Sequence, residues 1–109
     1  MNIDLQRYVK ACITRGEFYE QCNIKAGNKH SDIVYAVYTI LKENGRLGEL
    51  LGLLEHESPY VRLAAATHCL QFPDSNAETV LEELTKLTDE VGFTARSSLF
   101  AWRNGMVKF

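Results

Sequence analysis

The stretch Leu47–Phe72, LGELLGLLEHESPYVRLAAATHCLQF, limits what this chain can fold into more than any other. Its second half is apolar nearly all round a helical wheel. Val61, Ala64, Ala65, His68, Cys69 and Phe72 make one face, and Leu63, Ala66 and Leu70 lie roughly opposite. A helix with no polar face belongs inside a structure, so the remaining elements have to be arranged around it. Its alanines allow neighbouring helices to come close from both sides. Ser58-Pro59 predicts where it starts, because a serine hydroxyl accepts an orphan amide hydrogen bond and proline suits the first helical position. Phe72-Pro73 predicts its end, since the residue before proline disfavours the helical region. In the first half, Leu47, Leu50, Leu51 and Leu54 fall at helical spacing as one stripe. The stretch reads as two short helices joined by a tight turn.

The pattern recurs weakly. A shift of 34 positions places Leu47, Leu50 and Leu53 on Leu81, Leu84 and Leu87, Glu49 on Glu83, and Arg62 on Arg96. A period of this length belongs to stacked helical pairs. The rest of the chain has the same helical character. Leu5, Tyr8, Val9 and Cys12 follow an i, i+3, i+4, i+7 pattern, with Gly16 leaving the continuation of that helix open. NIKAGNKHSD reads as a turn into a second helix capped by Asn28 or Ser31. Ile33, Ala36, Val37, Ile40 and Leu41 form its expected buried face, and Asn44-Gly45 its stop, with glycine in the left-handed position. Ser75 and Glu78 fit a capping box opening a helix that buries Ala77, Val80, Leu81, Leu84 and Leu87. Gly92 precedes a last helix with a stripe of Ala95, Leu99 and Trp102, ended by Asn104-Gly105. The apolar tail MVKF is expected to fold back over the end of the stack, because terminal repeats need capping. The sum is an all-α chain of six helices in three antiparallel pairs, forming one domain over residues 1–109.

Composition excludes several classes. Twelve Lys+Arg against 14 Asp+Glu leave a net charge of −2, which disfavours general nucleic-acid binding, since that rests on cationic side chains meeting phosphates. No apolar run approaches the roughly 18 residues of a membrane span, and MNIDLQRYVK lacks a signal-peptide core. The expected location is cytoplasmic. Cys12, Cys22 and Cys69 are odd in number and lack metal-ligand spacing, so they read as reduced thiols, Cys12 and Cys69 inside apolar stripes. Glu17 and Glu20 lie close enough to resemble a catalytic acid pair. Such pairs work when burial separates their pKa values, and nothing in the sequence indicates burial. His56 sits in a turn and His68 on the apolar helix, both read as hydrogen-bonded structural residues. No nucleophile motif or His/Cys/Asp set is present. No enzyme activity, metal or cofactor is expected.

The surfaces left for function are two helix faces. The polar side of the second helix carries Asp32, Tyr35, Thr39 and Lys42, with Tyr38 at its margin. Tyr35 points away from the expected core, and tyrosine makes a good contact anchor because it offers apolar area with a polar tip. The fifth helix turns Glu78, Glu82, Glu83 and Lys86 to water, which reads first as a solvated face and second as an acidic patch for a partner. The candidate partner-binding residues are therefore Asp32, Tyr35, Tyr38, Thr39, Lys42, Glu78 and Glu82.

The pattern Leu54-x-His56-x-Ser58-Pro59-x-Val61-Arg62-x-Ala64-Ala65 resembles the HEAT/armadillo class. It is closer still to a small bacterial family of HEAT-like domains, whose Asn-x-x-x-Asp element matches Asn28 and Asp32. Their Leu-x-x-Trp-Arg-x-Gly ending matches Leu99, Trp102, Arg103 and Gly105. The resemblance runs from about Asp4 to Gly105. It implies a right-handed α-α superhelix, no known catalysis and a bacterial cytoplasmic origin. His56 stands where the broader class often carries an aspartate, so Arg62 and Arg96 are expected to bond turn carbonyls or a neighbouring carboxylate. By analogy with small acidic helical proteins, the expected function is a protein-binding module, within that class an immunity protein blocking a bacterial toxin. The alternative is a nucleic-acid-binding HEAT-like protein using Trp102, Arg96 and Arg103.

Overall fold

The structure, a computed structural model, describes residues 2–107 and residue 109. All regular secondary structure among the described residues is helical, with no strand. Helix α1 spans Ile3–Glu20, α2 Ile24–Glu43, α3 Pro59–Cys69, α4 Ala77–Leu84 and α5 Glu90–Arg103, and a 3₁₀ helix spans Leu47–Leu53 between α2 and α3. Contacts gather within two compact units, Met1–Glu49 and Leu50–Phe109.

The first unit is a helical hairpin. Asn2 caps α1 by accepting from the Leu5 amide at 2.9 Å, and the helix runs through a buried Gly16 to Glu20. The turn is tighter than the sequence suggests. Cys22 takes the left-handed conformation at φ 59°, and Asn23, not Asn28 or Ser31, caps α2 by accepting from the Ala26 amide at 3.2 Å. The segment expected as a turn is therefore the first two turns of α2. Asn28 and Ser31 instead join the helices: the Tyr19 hydroxyl donates to Asn28 Oδ1 at 2.8 Å and Arg15 Nη1 to Ser31 Oγ at 3.3 Å. The Tyr19 ring lies where a side chain at position 27 would stand, so glycine there serves packing inside a helix. With Asp4 meeting Arg46 at the far end, partners on α1 rise as partners on the second half fall, which makes the hairpin antiparallel.

The buried face of α2 is rotated from the expected one. Val34, Val37, Tyr38 and Leu41 are buried, Ile33 and Ile40 are half-buried, and Ala36 is exposed. Both sets follow helical spacing. The observed one covers the ring of Tyr38 as α2 packs on α1, whereas the expected face would have spent a core position on the single methyl of Ala36. More apolar area leaves water in the observed phase, at about 25 cal/mol per Å².

Leu47–Leu53 departs from an α-helix. Leu50, Leu53 and Leu54 are buried and Leu51 is 40% exposed. A 3₁₀ helix has three residues per turn, so side chains at i and i+3 stack, and Leu53 takes the buried place that the expected stripe of Leu47, Leu50, Leu51 and Leu54 gave to Leu51.

In the second unit, α3, α4 and α5 each pack against the other two. Helix α3 is covered as its composition demands, with Val61, Ala64, Ala65, Ala66 and Cys69 all buried. Ser58 has the extended backbone of an N-cap, but its hydroxyl makes no cap bond. Its amide instead donates to His56 Nδ1 at 3.0 Å, which gives the turn histidine its structural role. Nor do Ser75 and Glu78 form a capping box. Ser75 Oγ donates to the carbonyls of Phe72 at 2.8 Å and Cys69 at 3.1 Å, closing the turn out of α3. Helix α4 ends at Leu84, so Leu87 falls in the next loop and is 36% exposed. Gly92 lies inside α5, where the Leu87 carbonyl occupies the space of a Cβ. The Asp89 side chain caps that helix on the Gly92 amide at 3.3 Å.

Candidate functional site

The α2 face is built from residues at one angular position along a 20-residue helix. Asp32, Tyr35 and Lys42 are exposed, Tyr35 by 66%. Thr39 is half-buried and donates its hydroxyl back to the Tyr35 carbonyl at 3.0 Å, so its donor is already used within the helix. Tyr38 is corrected: at 7% exposure it is core and offers no contact surface. It still shapes the face. Its ring lies 6.0 Å from that of Tyr35, tilted by 37°, a favourable aromatic arrangement. The core thus reaches up through Tyr38 to support the exposed ring. Toward the start of α2, Asn23, Lys25, Ala26, Asn28, Lys29 and Asp32 line an open groove, which extends the face through Asn28 and Asp32. Sequence reasoning passed over Lys25 and Lys29 because it placed them in a turn; the helical spacing Lys25, Lys29, Asp32, Tyr35 was the available signal.

The α4 face is different in kind. Glu78, Glu82 and Glu83 are exposed as expected. Arg103 reaches across from α5, bonding Glu78 Oε2 through Nε at 3.2 Å and Nη2 at 2.9 Å, and pairing with Glu82 through Nη2. These bonds hold the guanidinium proton more firmly than usual, Glu78 contributing most. The patch is thereby partly neutralised, and exposed pairs of this kind contribute little to stability. The candidate residues fall in both compact units: Asp32, Tyr35, Thr39 and Lys42 in the first, Glu78 and Glu82 in the second.

The remaining candidates have structural partners. Arg62 Nη1 donates to the carbonyls of His56 at 2.7 Å and Glu57 at 3.0 Å. Arg96 Nη1 does the same to Thr85 at 2.8 Å and Leu87 at 3.2 Å. Trp102 is half-buried, its ring 6.1 Å from that of Phe109. Phe109 of the tail thus lies back on α5, while Lys108 is outside the described residues. The arginines that a nucleic-acid reading would use are held by carbonyls or carboxylates of this chain. Cys12 and Cys69 are buried free thiols, both pushed up to about 12 by burial, and Cys22 is exposed. Glu17 and Glu20 are both exposed.

A second polar cluster went unread in the sequence. Arg46, just past α2, donates to Glu49 Oε2 at 2.7 Å and to Asp4 Oδ2 at 3.0 Å, while Asn2 Nδ2 donates to Glu49 Oε1 at 2.6 Å. The cluster ties the start of α1 to the end of the hairpin. Its parts lie more than 40 positions apart, and no local spacing announces it. Glu49 is held below its ordinary range by the Arg46 bond first and the Asn2 bond second.

Among the described residues no helix is long and apolar enough to cross a membrane, and no group of His, Cys, Asp and Glu is placed to hold a metal ion. Comparison with known proteins returns no match to this chain, whether among protein-family models, curated proteins or solved structures.

Proposed function

We propose that this chain is a non-catalytic protein-binding module of the HEAT/armadillo-like kind, and within that class an immunity-type protein that neutralises a toxin partner in the bacterial cytoplasm. The observation that carries the binding reading is the α2 face. It sets Tyr35, two-thirds exposed and braced on the buried Tyr38 ring, among Asp32, Thr39 and Lys42. An aromatic ring already held in place loses little freedom when it enters a partner's pocket, and such residues carry much of the affinity in protein interfaces. The mixed charges around it serve specificity and orientation. The assignment to the HEAT/armadillo class is supported by the motif from Leu54 to Ala65 and by the matched carbonyl clamps of Arg62 and Arg96. The toxin-blocking role is drawn by analogy.

The test is affinity capture from the native host with wild-type and Tyr35→Ala baits. A near-stoichiometric protein partner is expected on the wild type and at least about tenfold less on the variant, with both baits equally helical by circular dichroism. No near-stoichiometric partner, or equal capture by both baits, would overturn the reading. Identification of the captured protein as a toxin domain decides the immunity role.

A further inference from the structure

Histidine is the side chain that takes up a proton between about pH 5 and 8, and His56 is bonded in a way that a proton forbids. The Ser58 amide donates to His56 Nδ1 at 3.0 Å. An amide nitrogen can only donate, so Nδ1 presents its lone pair and the neutral ring carries its proton on Nε2. An imidazolium has a proton on both nitrogens and accepts nothing. His30 is the contrast. Its Nδ1 meets the Ala26 carbonyl at 2.9 Å, and an acceptor there suits the charged ring as well as the neutral one. We propose that His56 is a pH-sensitive latch at the entrance to α3, closed while its ring is neutral and opened when it is protonated.

The charges around the ring set the direction. Ser58 is the N-cap of α3, so the imidazole stands at the positive end of that helix, where a cation is disfavoured. Arg62 of α3 reaches back to the same loop, its Nη1 donating to the carbonyls of His56 at 2.7 Å and Glu57 at 3.0 Å, and brings a fixed positive charge. Glu55 and Glu57 flank the histidine and favour the charged ring, but both are exposed, where water weakens their pull. On protonation the Ser58 amide is left facing an N–H, and the loop over residues 55–58 opens together with the first turn of α3. The bond therefore contributes stability above the range in which histidine titrates, and that contribution is lost as the pH falls through it.

Urea unfolding of wild type, His56→Asn and His56→Ala between pH 8 and pH 5 tests the proposal. An asparagine oxygen accepts the amide two residues on in an ordinary Asx turn and takes up no proton in this range. From pH 8 to pH 5 the unfolding constant of the wild type should rise about fivefold more than that of His56→Asn. His56→Ala should unfold about fivefold more readily than wild type at pH 8 and share the flatter profile of His56→Asn. A second measurement uses the wild type alone, and decides if the variants do not fold. At pH 8 the nitrogen-15 spectrum should show His56 protonated on Nε2, with a coupling across the hydrogen bond between Nδ1 and the Ser58 amide nitrogen. That coupling should fade as the ring is titrated, with the amide signals of the first turn of α3 shifting in step. Superimposable pH profiles for wild type and His56→Asn, or a ring protonated on Nδ1 at pH 8, would overturn the proposal.

Discussion

Two helix ends show how a dipeptide dictates backbone. Asn44-Gly45 and Asn104-Gly105 close α2 and α5 in the same way. The asparagine Nδ2 donates to the carbonyl four residues back, at 2.7 Å to Ile40 and 2.8 Å to Phe100. The glycine turns left-handed at φ 66° and 69°. The residue after it returns its amide to the carbonyl five back, Arg46 to Leu41 at 2.7 Å and Met106 to Ala101 at 2.8 Å. Nothing stands near the missing Cβ at either glycine. The cost of Gly45→Ala or Gly105→Ala is therefore conformational, about 1–2 kcal/mol each, and a urea titration with an unchanged slope should record it. A neutral result would mean that these turns adopt another conformation in solution.

At the scale of the element, phase decides what a stripe does. Tyr35 and Tyr38 differ by one helical turn and take opposite roles. Tyr38→Ala should cost about 3–5 kcal/mol, as for other large buried aromatics, while Tyr35→Ala should stay within about 1 kcal/mol. Leu50 and Leu51 give the same contrast across one peptide bond. Leu50→Ala, at a fully buried position, should cost roughly 2–5 kcal/mol, and Leu51→Ala less than about 1 kcal/mol. Chemical denaturation of the four variants measures both phases. Equal losses at Leu50 and Leu51 would indicate α-helical packing of the segment instead of a 3₁₀ turn.

At the scale of the whole molecule, two sets of groups bound stability against pH. Glu49 has a folded pKa below its ordinary 4.5. Its contribution is present above the unfolded value and is lost as the pH falls through the lower folded one. Glu49→Gln should remove that part of the acid loss. Cys12 and Cys69 shift the other way, from 9.0 to about 12. Above pH 9 the unfolded chain releases these protons and the folded chain keeps them, so stability falls with rising pH. Cys12→Ala and Cys69→Ala should each flatten the alkaline limb between about pH 9 and 12 while lowering stability at pH 7 through lost packing. Thermal unfolding across pH is the measurement, and an alkaline limb unchanged by either substitution would place these thiols in water.

By itself the sequence determined what is local. It set the all-α class, the closing Asn-Gly turns and the burial of α3, because each follows from a few neighbouring residues and helical geometry; for Arg62 and Arg96 it left turn carbonyls and a neighbouring carboxylate both open, and the fold placed them on carbonyls. It also marked Tyr35 as exposed, since a helix face is read from spacing alone. Tertiary packing decided the rest. Which of two overlapping stripes on α2 entered the core was decided by packing against α1, and the stripe that did so buries the ring of Tyr38. The start of α2 was set by the left-handed Cys22 and the Asn23 cap, and the Tyr19 ring packs where a side chain at Gly27 would stand. The joining of Arg46 to Asp4, and of Arg103 to Glu78 and Glu82, depended on folding bringing together charges that sequence leaves far apart. Helical periodicity reports that a face exists; how far neighbouring side chains fill the space around it decides whether that face is core or contact surface.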